Sequence, residues 1–219
     1  MLDNFRQYLD AKISLTPAEW EKIKSVCIAK KLNKGEFLLQ EGTVWQCVAI
    51  VIKGCLRTYR SDENGRIRIL DFVIENGWLG DTQSLQTSAP SVFNIDAIEP
   101  SEIVLINKTE FEVLCEQIPQ LNQMMTNNLK ECLSISQSRI DLATIYTSEE
   151  KYRYFSTYQP QLLLRVPQFM IASYLGMTPE SLSRIRKRLA KAPVEKDSLK
   201  VTLPAEKPLI SYAFALKTE

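Results

Sequence analysis

Glu180, Ser183 and Arg184 stand three and four positions apart in the run PESLSRIRKRL, a spacing that puts them on one face of a helix. A carboxylate accepts from the N4 amine of cytosine. A guanidinium donates in two prongs to O6 and N7 of guanine, and a hydroxyl serves either base edge. Gln168, Thr178, Ser181, Arg186, Lys187 and Arg188 surround them, and these are residue types that hold phosphate oxygens. The chemistry on offer is recognition of duplex DNA, with Glu180, Ser183 and Arg184 as base contacts and the other six as phosphate contacts. Bond-making chemistry finds less material. The chain has no histidine, which removes the usual zinc ligands, the Ser–His and Cys–His nucleophile pairs and a proximal haem ligand. No catalytic residue, metal site or cofactor is expected, and the chain does not read as an enzyme. A histidine-dependent metalloenzyme on a β-barrel of the cupin kind is set aside on the same ground.

Such a face has to be positioned by two short helices and a tight turn. Phe169, Ile171, Ala172 and Leu175 recur at mixed three- and four-residue steps and bury one side of the first helix. Gly176 stands where that helix should stop, since it adopts a left-handed conformation without a Cβ penalty. Thr178 can cap the next helix and Pro179 occupies its first position, where a missing N–H costs nothing. Leu182, Ile185 and Leu189 then point inward. From Val166 to Leu189 this is the layout of a helix-turn-helix, whose second helix enters the major groove N-terminus first. The plainer alternative is a core helical hairpin with a solvated basic end. Charge favours the reader. The net charge of the whole chain is only +1, but residues from Ser148 onward hold 12 Lys+Arg against 7 Asp+Glu, while residues 1–147 hold 15 against 19.

The segment ASYLGMTPESLSRIRKRL resembles the C-terminal DNA-binding region of the Crp/Fnr family. Its run from Glu180 to Arg184 is similar to the base-reading E-x-x-S-R of the Fnr branch. The resemblance implies a cytoplasmic transcription regulator bound as a homodimer to a palindromic site with half-sites close to TTGA, and RNA polymerase as a further partner. An iron–sulfur cluster of the Fnr kind would want closely spaced N-terminal cysteines. The five cysteines here stand at 27, 47, 55, 115 and 132 without a CxxC pair, so that sensor is rejected and the thiols read as reduced and structural. No apolar run approaches the ~20 residues of a membrane span, and the start MLDNFRQYLDAKISL lacks a signal-peptide layout.

Ahead of the reader, residues 4–12 and 17–30 read as helices, with Trp20, Ile23 and Ile28 as an apolar stripe. Thr16, Pro17 and Glu19 resemble a capped start displaced by one residue from a full capping box. From Lys31 to Ile106 short β-rich runs (FLLQ, CVAIVI, LRTYR, IRILDFV, FNIDAI, EIVLI) alternate with turns, and Asn64-Gly65 is a hairpin signal. Six to eight strands at this spacing predict a compact antiparallel barrel or roll. Their order resembles the cyclic-nucleotide-binding β-roll of the same family over most of residues 20–115. By that resemblance Gly80, Asp81, Thr82 and Ser91 mark the effector pocket. Asp81 stands where glutamate is usual, and no arginine lies between Arg68 and Arg139. A buried cyclic phosphate needs a paired cation or a nest of N–H donors, so cyclic AMP is not the expected effector, and the identity of any small-molecule effector stays open.

Phe111 to Tyr146 reads as helix broken near Pro119. Leu121, Met125, Asn128, Cys132, Ile135, Arg139, Leu142 and Tyr146 then fall on a heptad-like seam. In the family this helix forms the dimer interface, which implies Leu121, Met125, Asn128, Cys132, Ile135 and Leu142 as interface residues; an intramolecular packing helix is the alternative. Leu129, Leu133 and Ile140 give a second apolar edge for packing back on the roll. Residues 141–148 read as a hinge, 148–158 as a helix, and LLLRVP as a short strand or extended lead-in. The tail alternates around PAEKP, either as a β-hairpin wing after the reader or as a disordered extension. The expected fold is α+β: an antiparallel, jelly-roll-like β-roll over 1–118, a long dimerisation helix over 119–146 and a winged-helix or helix-turn-helix domain over 147–219. The competing function is a ligand-binding or regulatory subunit whose helix-turn-helix docks protein instead of DNA.

Overall fold

A computed structural model describes residues 1–190; residues 191–219, and with them the expected wing or extension, lie outside the described residues. The described residues form two compact units, 1–60 with 71–133 and 61–70 with 134–190.

The first unit starts with α1 (Leu2–Asp10) and α2 (Pro17–Val26). The capping box of α2 is complete, not displaced: the Glu19 N–H donates to Thr16 Oγ1 at 3.3 Å and the Thr16 N–H to Glu19 Oε2 at 2.8 Å. The helix ends at Val26 instead of residue 30, because Ile28–Leu32 pairs as strand β1. Ile28 is therefore exposed and no part of the stripe of Trp20 and Ile23, which are both buried.

Seven further strands follow: β2 (Phe37–Leu39), β3 (Cys47–Lys53), β4 (Leu56–Ser61), β5 (Ile67–Val73), β6 (Trp78–Leu79), β7 (Asn94–Ala97) and β8 (Ser101–Asn107). They form two four-stranded sheets in the orders β1-β8-β3-β6 and β2-β7-β4-β5. The pairs are antiparallel, with Ile50 opposite Val104 and Leu56 opposite Ala97. β3 is buried without a break from Val48 to Ile52. Successive side chains point to opposite faces, so a strand like this needs a layer on each side, and α4 (Lys108–Gln117) packs against β3 and β8. Phe5, Trp20, Trp78 and Phe111 meet at tilted or edge-on angles with centroids 5.9–6.3 Å apart, which ties α1, α2 and α4 to β6. Between β4 and β5 the turn is not a two-residue hairpin loop. The Asp62 carboxylate accepts the N–H groups of Asn64 and Arg66 at 3.0 and 2.9 Å, and of the turn residues only Gly65 has positive φ.

Helix α5 spans Pro119–Ile145, 27 residues, a length of about 40 Å. Most of its expected interface is covered within the single chain. Leu121, Met125, Asn128 and Cys132 are buried within the single chain, and Leu121 and Met125 belong to the core that holds Phe5 and Leu9 of α1. Ile135 and Leu142 are half-buried. The edge expected to pack back on the roll stays outside, with Leu133 60% and Ile140 62% exposed. The physical reason is that two apolar stripes on one helix satisfy the same periodicity, and spacing cannot say which of them meets the core. The helix also runs to Ile145, through most of the expected hinge, which shrinks to Tyr146 and Thr147.

In the second unit α6 (Ser148–Tyr158) opens with another complete capping box, Thr147 with Glu150. LLLRVP is not a strand: α7 (Pro160–Arg165) begins with proline at its first position and buries Leu162. Then come α8 (Gln168–Tyr174) and α9 (Pro179–Leu189).

Candidate nucleic-acid interface

The turn between α8 and α9 is set by two residues of special backbone type. Gly176 has φ +70°, and a Schellman pair of bonds closes α8 beside it: the Met177 N–H donates to Ala172 O at 2.9 Å and the Gly176 N–H to Ser173 O at 3.1 Å. Two residues on, Thr178 caps α9 by accepting the Ser181 N–H at 3.2 Å, and Pro179 takes the first helical position. Ile171 and Ala172 of α8 and Leu182 and Ile185 of α9 are buried. Ala172 has no exposed surface, which is where a small side chain lets the two helices approach.

With Leu182 and Ile185 inward, Glu180 and Arg184 are exposed and Ser183 half-buried. The three expected base readers therefore share one outward face near the N-terminus of α9. The Glu180 carboxyl is held below the usual 4.5, first by its own backbone N–H, then by the Thr178 hydroxyl, and also by the Arg184 charge. It is thus an ionised acceptor at neutral pH. Arg184 Nη2 donates to Ser181 Oγ at 3.4 Å, which rests the guanidinium along the helix. Of the expected phosphate contacts, Gln168, Thr178, Arg186 and Lys187 are exposed and Ser181 is half-buried. Lys187 lies seven residues after Glu180 and so on the readers' own face. Arg188 lies four residues after Arg184, and it is ion-paired with Glu149 of α6.

That pair belongs to a feature the sequence did not announce. α6 packs against α9, and an open cavity of about 760 Å³ lies between them, lined by Ser148, Glu149, Ser181, Arg184 and Arg188 among others. A second unannounced group sits on α8. The Ser173 hydroxyl donates to Ile67 O and accepts from Ile69 N–H, both at 3.1 Å, and so satisfies two backbone groups on β5. Beside it the Arg139 guanidinium lies 5.0 Å from the Tyr174 ring and donates to Leu70 O. These partners lie up to 106 positions away in the chain, beyond any local pattern.

The residues expected to hold an effector are largely engaged with the protein itself. Asp81 and Ser91 are buried. The Asp81 carboxylate accepts the Ser84 N–H at 3.1 Å and caps α3 (Thr82–Thr87), and Ser91 Oγ accepts the Phe93 N–H at 3.1 Å. Gly80 is pressed on Trp45: a Cβ there would fall 2.6 Å from the indole nitrogen. Among the described residues no group of His, Cys, Asp and Glu side chains could hold a metal ion, and no helix is long and apolar enough to cross a membrane. No disulfide joins the five cysteines, and burial pushes the thiols of Cys27 and Cys115 up to about 12, far from a reactive thiolate.

Residues 29–118 match the family model of the cyclic nucleotide-binding domain. The chain is 24% identical over 189 residues to the transcriptional activator protein Anr of Pseudomonas aeruginosa, covering 79% of this chain and 75% of that protein. It is 26% identical over 167 residues to the probable transcriptional regulator Flp of Lacticaseibacillus casei, covering 74% and 75%. The solved structure of FixK2 from Bradyrhizobium japonicum superposes with a TM-score of 0.62 at 20% identity, over 75% of this chain and 85% of that one, which shows a shared fold. The chain is thus similar over about three quarters of its length to proteins named as transcription regulators, shares its fold with FixK2, and matches the cyclic nucleotide-binding domain over residues 29–118.

Proposed function

We propose that this protein is a sequence-specific DNA-binding transcription regulator that works in the cytoplasm as a homodimer on a two-fold symmetric site and catalyses no reaction. The observation that carries the reading is the outward face of α9. An ionised Glu180, Ser183 and Arg184 stand side by side on a helix whose start is set by Thr178 and whose orientation is set by the turn at Gly176. Arg184 donates to guanine O6 and N7, Glu180 accepts from cytosine N4, and Ser183 adds a hydroxyl contact, so the G·C pair of each half-site is read from both strands. Gln168, Thr178, Ser181, Arg186 and Lys187 hold the backbone on either side. The relatives described above are named as transcription regulators, which supports the same reading, with RNA polymerase as the downstream partner. The outward edge of α5, at Leu133 and Ile140, supplies the dimer contact in place of the seam that the core occupies. Half-site centres then lie about one helical turn, roughly 34 Å, apart.

The test is a salt titration. A labelled duplex with two TTGA half-sites is titrated with the full chain at roughly 50 to 200 mM salt. The logarithm of the binding constant should fall linearly with the logarithm of salt, and a duplex with scrambled half-sites should bind more weakly at every point. Equal binding to both duplexes would contradict sequence-specific reading; no binding would contradict the function itself.

A further inference from the structure

We infer that Glu149 sets the overall strength of DNA binding: its carboxylate holds Arg188 as an internal ion pair and so withdraws that arginine from the phosphate contacts. The inference rests on the DNA-reading function proposed above. Glu149 stands in the first turn of α6, whose start is pinned by the Thr147–Glu150 capping box. Both of its oxygens are engaged. Oε1 accepts from Arg153 Nε at 3.1 Å and Nη2 at 2.9 Å, one helical turn along α6, and Oε2 accepts from Arg188 Nη2 on α9. Its side chain is only 26% exposed, against 65% for Arg188. The carboxylate is therefore set in place by Arg153 before it meets Arg188.

The register of α9 decides what this does. Ser181, Arg184 and Arg188 follow one another at three- and four-residue steps along the ridge that lines the cavity beside α6. Lys187 faces with Glu180 and makes no ion pair among the described residues. A backbone phosphate that reached Arg188 would have to displace a carboxylate already in its place. Sequence-independent affinity comes from cations that release counterions from DNA, and a cation neutralised in advance adds nothing to it. Base-edge contacts do not depend on that count. Glu149 thus lowers binding to operator and random duplex alike, by the worth of one phosphate contact. A single exposed ion pair contributes little to folding stability; the role here is to subtract one charge from the DNA-facing set.

The experiment compares salt titrations on operator and random duplexes for the full chain and for Arg188→Ala, Glu149→Gln, the double variant and Lys187→Ala. Arg188→Ala should leave the salt slope as it is, whereas Lys187→Ala should flatten it by about one unit. Glu149→Gln should steepen the slope by about one unit and tighten binding to random duplex and operator alike, roughly fivefold to tenfold at about 0.1 M salt. The double variant should return to the wild-type slope. A loss of about one unit from Arg188→Ala alone overturns the inference, because the arginine then already holds a phosphate. Should Glu149→Gln fail to fold, the Arg188→Ala and Lys187→Ala comparison still decides. A wild type that binds no duplex rejects the regulator reading and this inference with it; a wild type that binds, with Arg188→Ala losing slope, rejects this inference alone.

Discussion

The Thr178 hydroxyl accepts the Ser181 N–H at 3.2 Å, and that bond sets the residue at which α9 begins. The same hydroxyl helps to hold the Glu180 carboxyl in its charged form. Thr178→Ala should therefore cost about 1 kcal/mol in denaturant unfolding, while Thr178→Ser, which keeps the acceptor, should stay near wild type. Equal stability of Thr178→Ala and wild type would show that the cap is idle.

The long helix offers a clean contrast. Leu133→Asp with Ile140→Asp should leave a folded chain and shift light scattering from twice 25.1 kDa toward that value. Leu121→Asp places a charge where the side chain is 2% exposed, and it should unfold the roll before it says anything about assembly. A folded Leu121→Asp monomer beside a dimeric Leu133→Asp/Ile140→Asp variant would restore the seam first expected from the heptads.

Protonation of the second capping box has a definite sign. Glu150 is held below its ordinary 4.5 by the Thr147 hydroxyl and backbone N–H. A depressed carboxyl stabilises the fold above its unfolded value, and that contribution is lost as pH falls through the lower folded value. Glu150→Ala should melt below wild type at pH 7, and the gap should close on acidification below about 4.5. A gap that widens toward acid would contradict the hydrogen-bonding seen at α6.

The parts legible in the sequence are those whose causes lie within a few residues. Gly176, Thr178 and Pro179 announce a helix end and a helix start inside four positions, and the structure carries the bonds they imply. Strand runs between turn residues were equally readable, except β1, which continued the helical stripe of α2, and β6, which has only two residues. What escaped needed a partner. Glu149 meets Arg188 39 positions away, and Ser173 meets β5 more than 100 away. The end of α2 was misjudged because Ile28 fits a helical stripe until β8 claims it as a strand. Spacing within α5 does not tell which of its stripes α1 covers, since that depends on Phe5 and Leu9, more than 100 positions earlier.

The roll should give no heat with cyclic AMP in calorimetry, since Asp81 and Ser91 already bond within the chain and arginine is absent from 69–138. Gly80→Ala should cost about 1–3 kcal/mol by overpacking against Trp45. Saturable cyclic AMP binding would contradict this view of the site.

The central claim, that α9 divides into base readers and phosphate holders, is tested most directly by random-site selection with wild type, Arg184→Ala and Lys187→Ala. Wild type should select a two-fold site with a G·C pair in each half. Arg184→Ala should lose about 1–3 kcal/mol and relax the preference at the guanine, while Lys187→Ala should keep the consensus and weaken all sequences alike. An unchanged consensus and the same uniform loss from both variants would contradict that division.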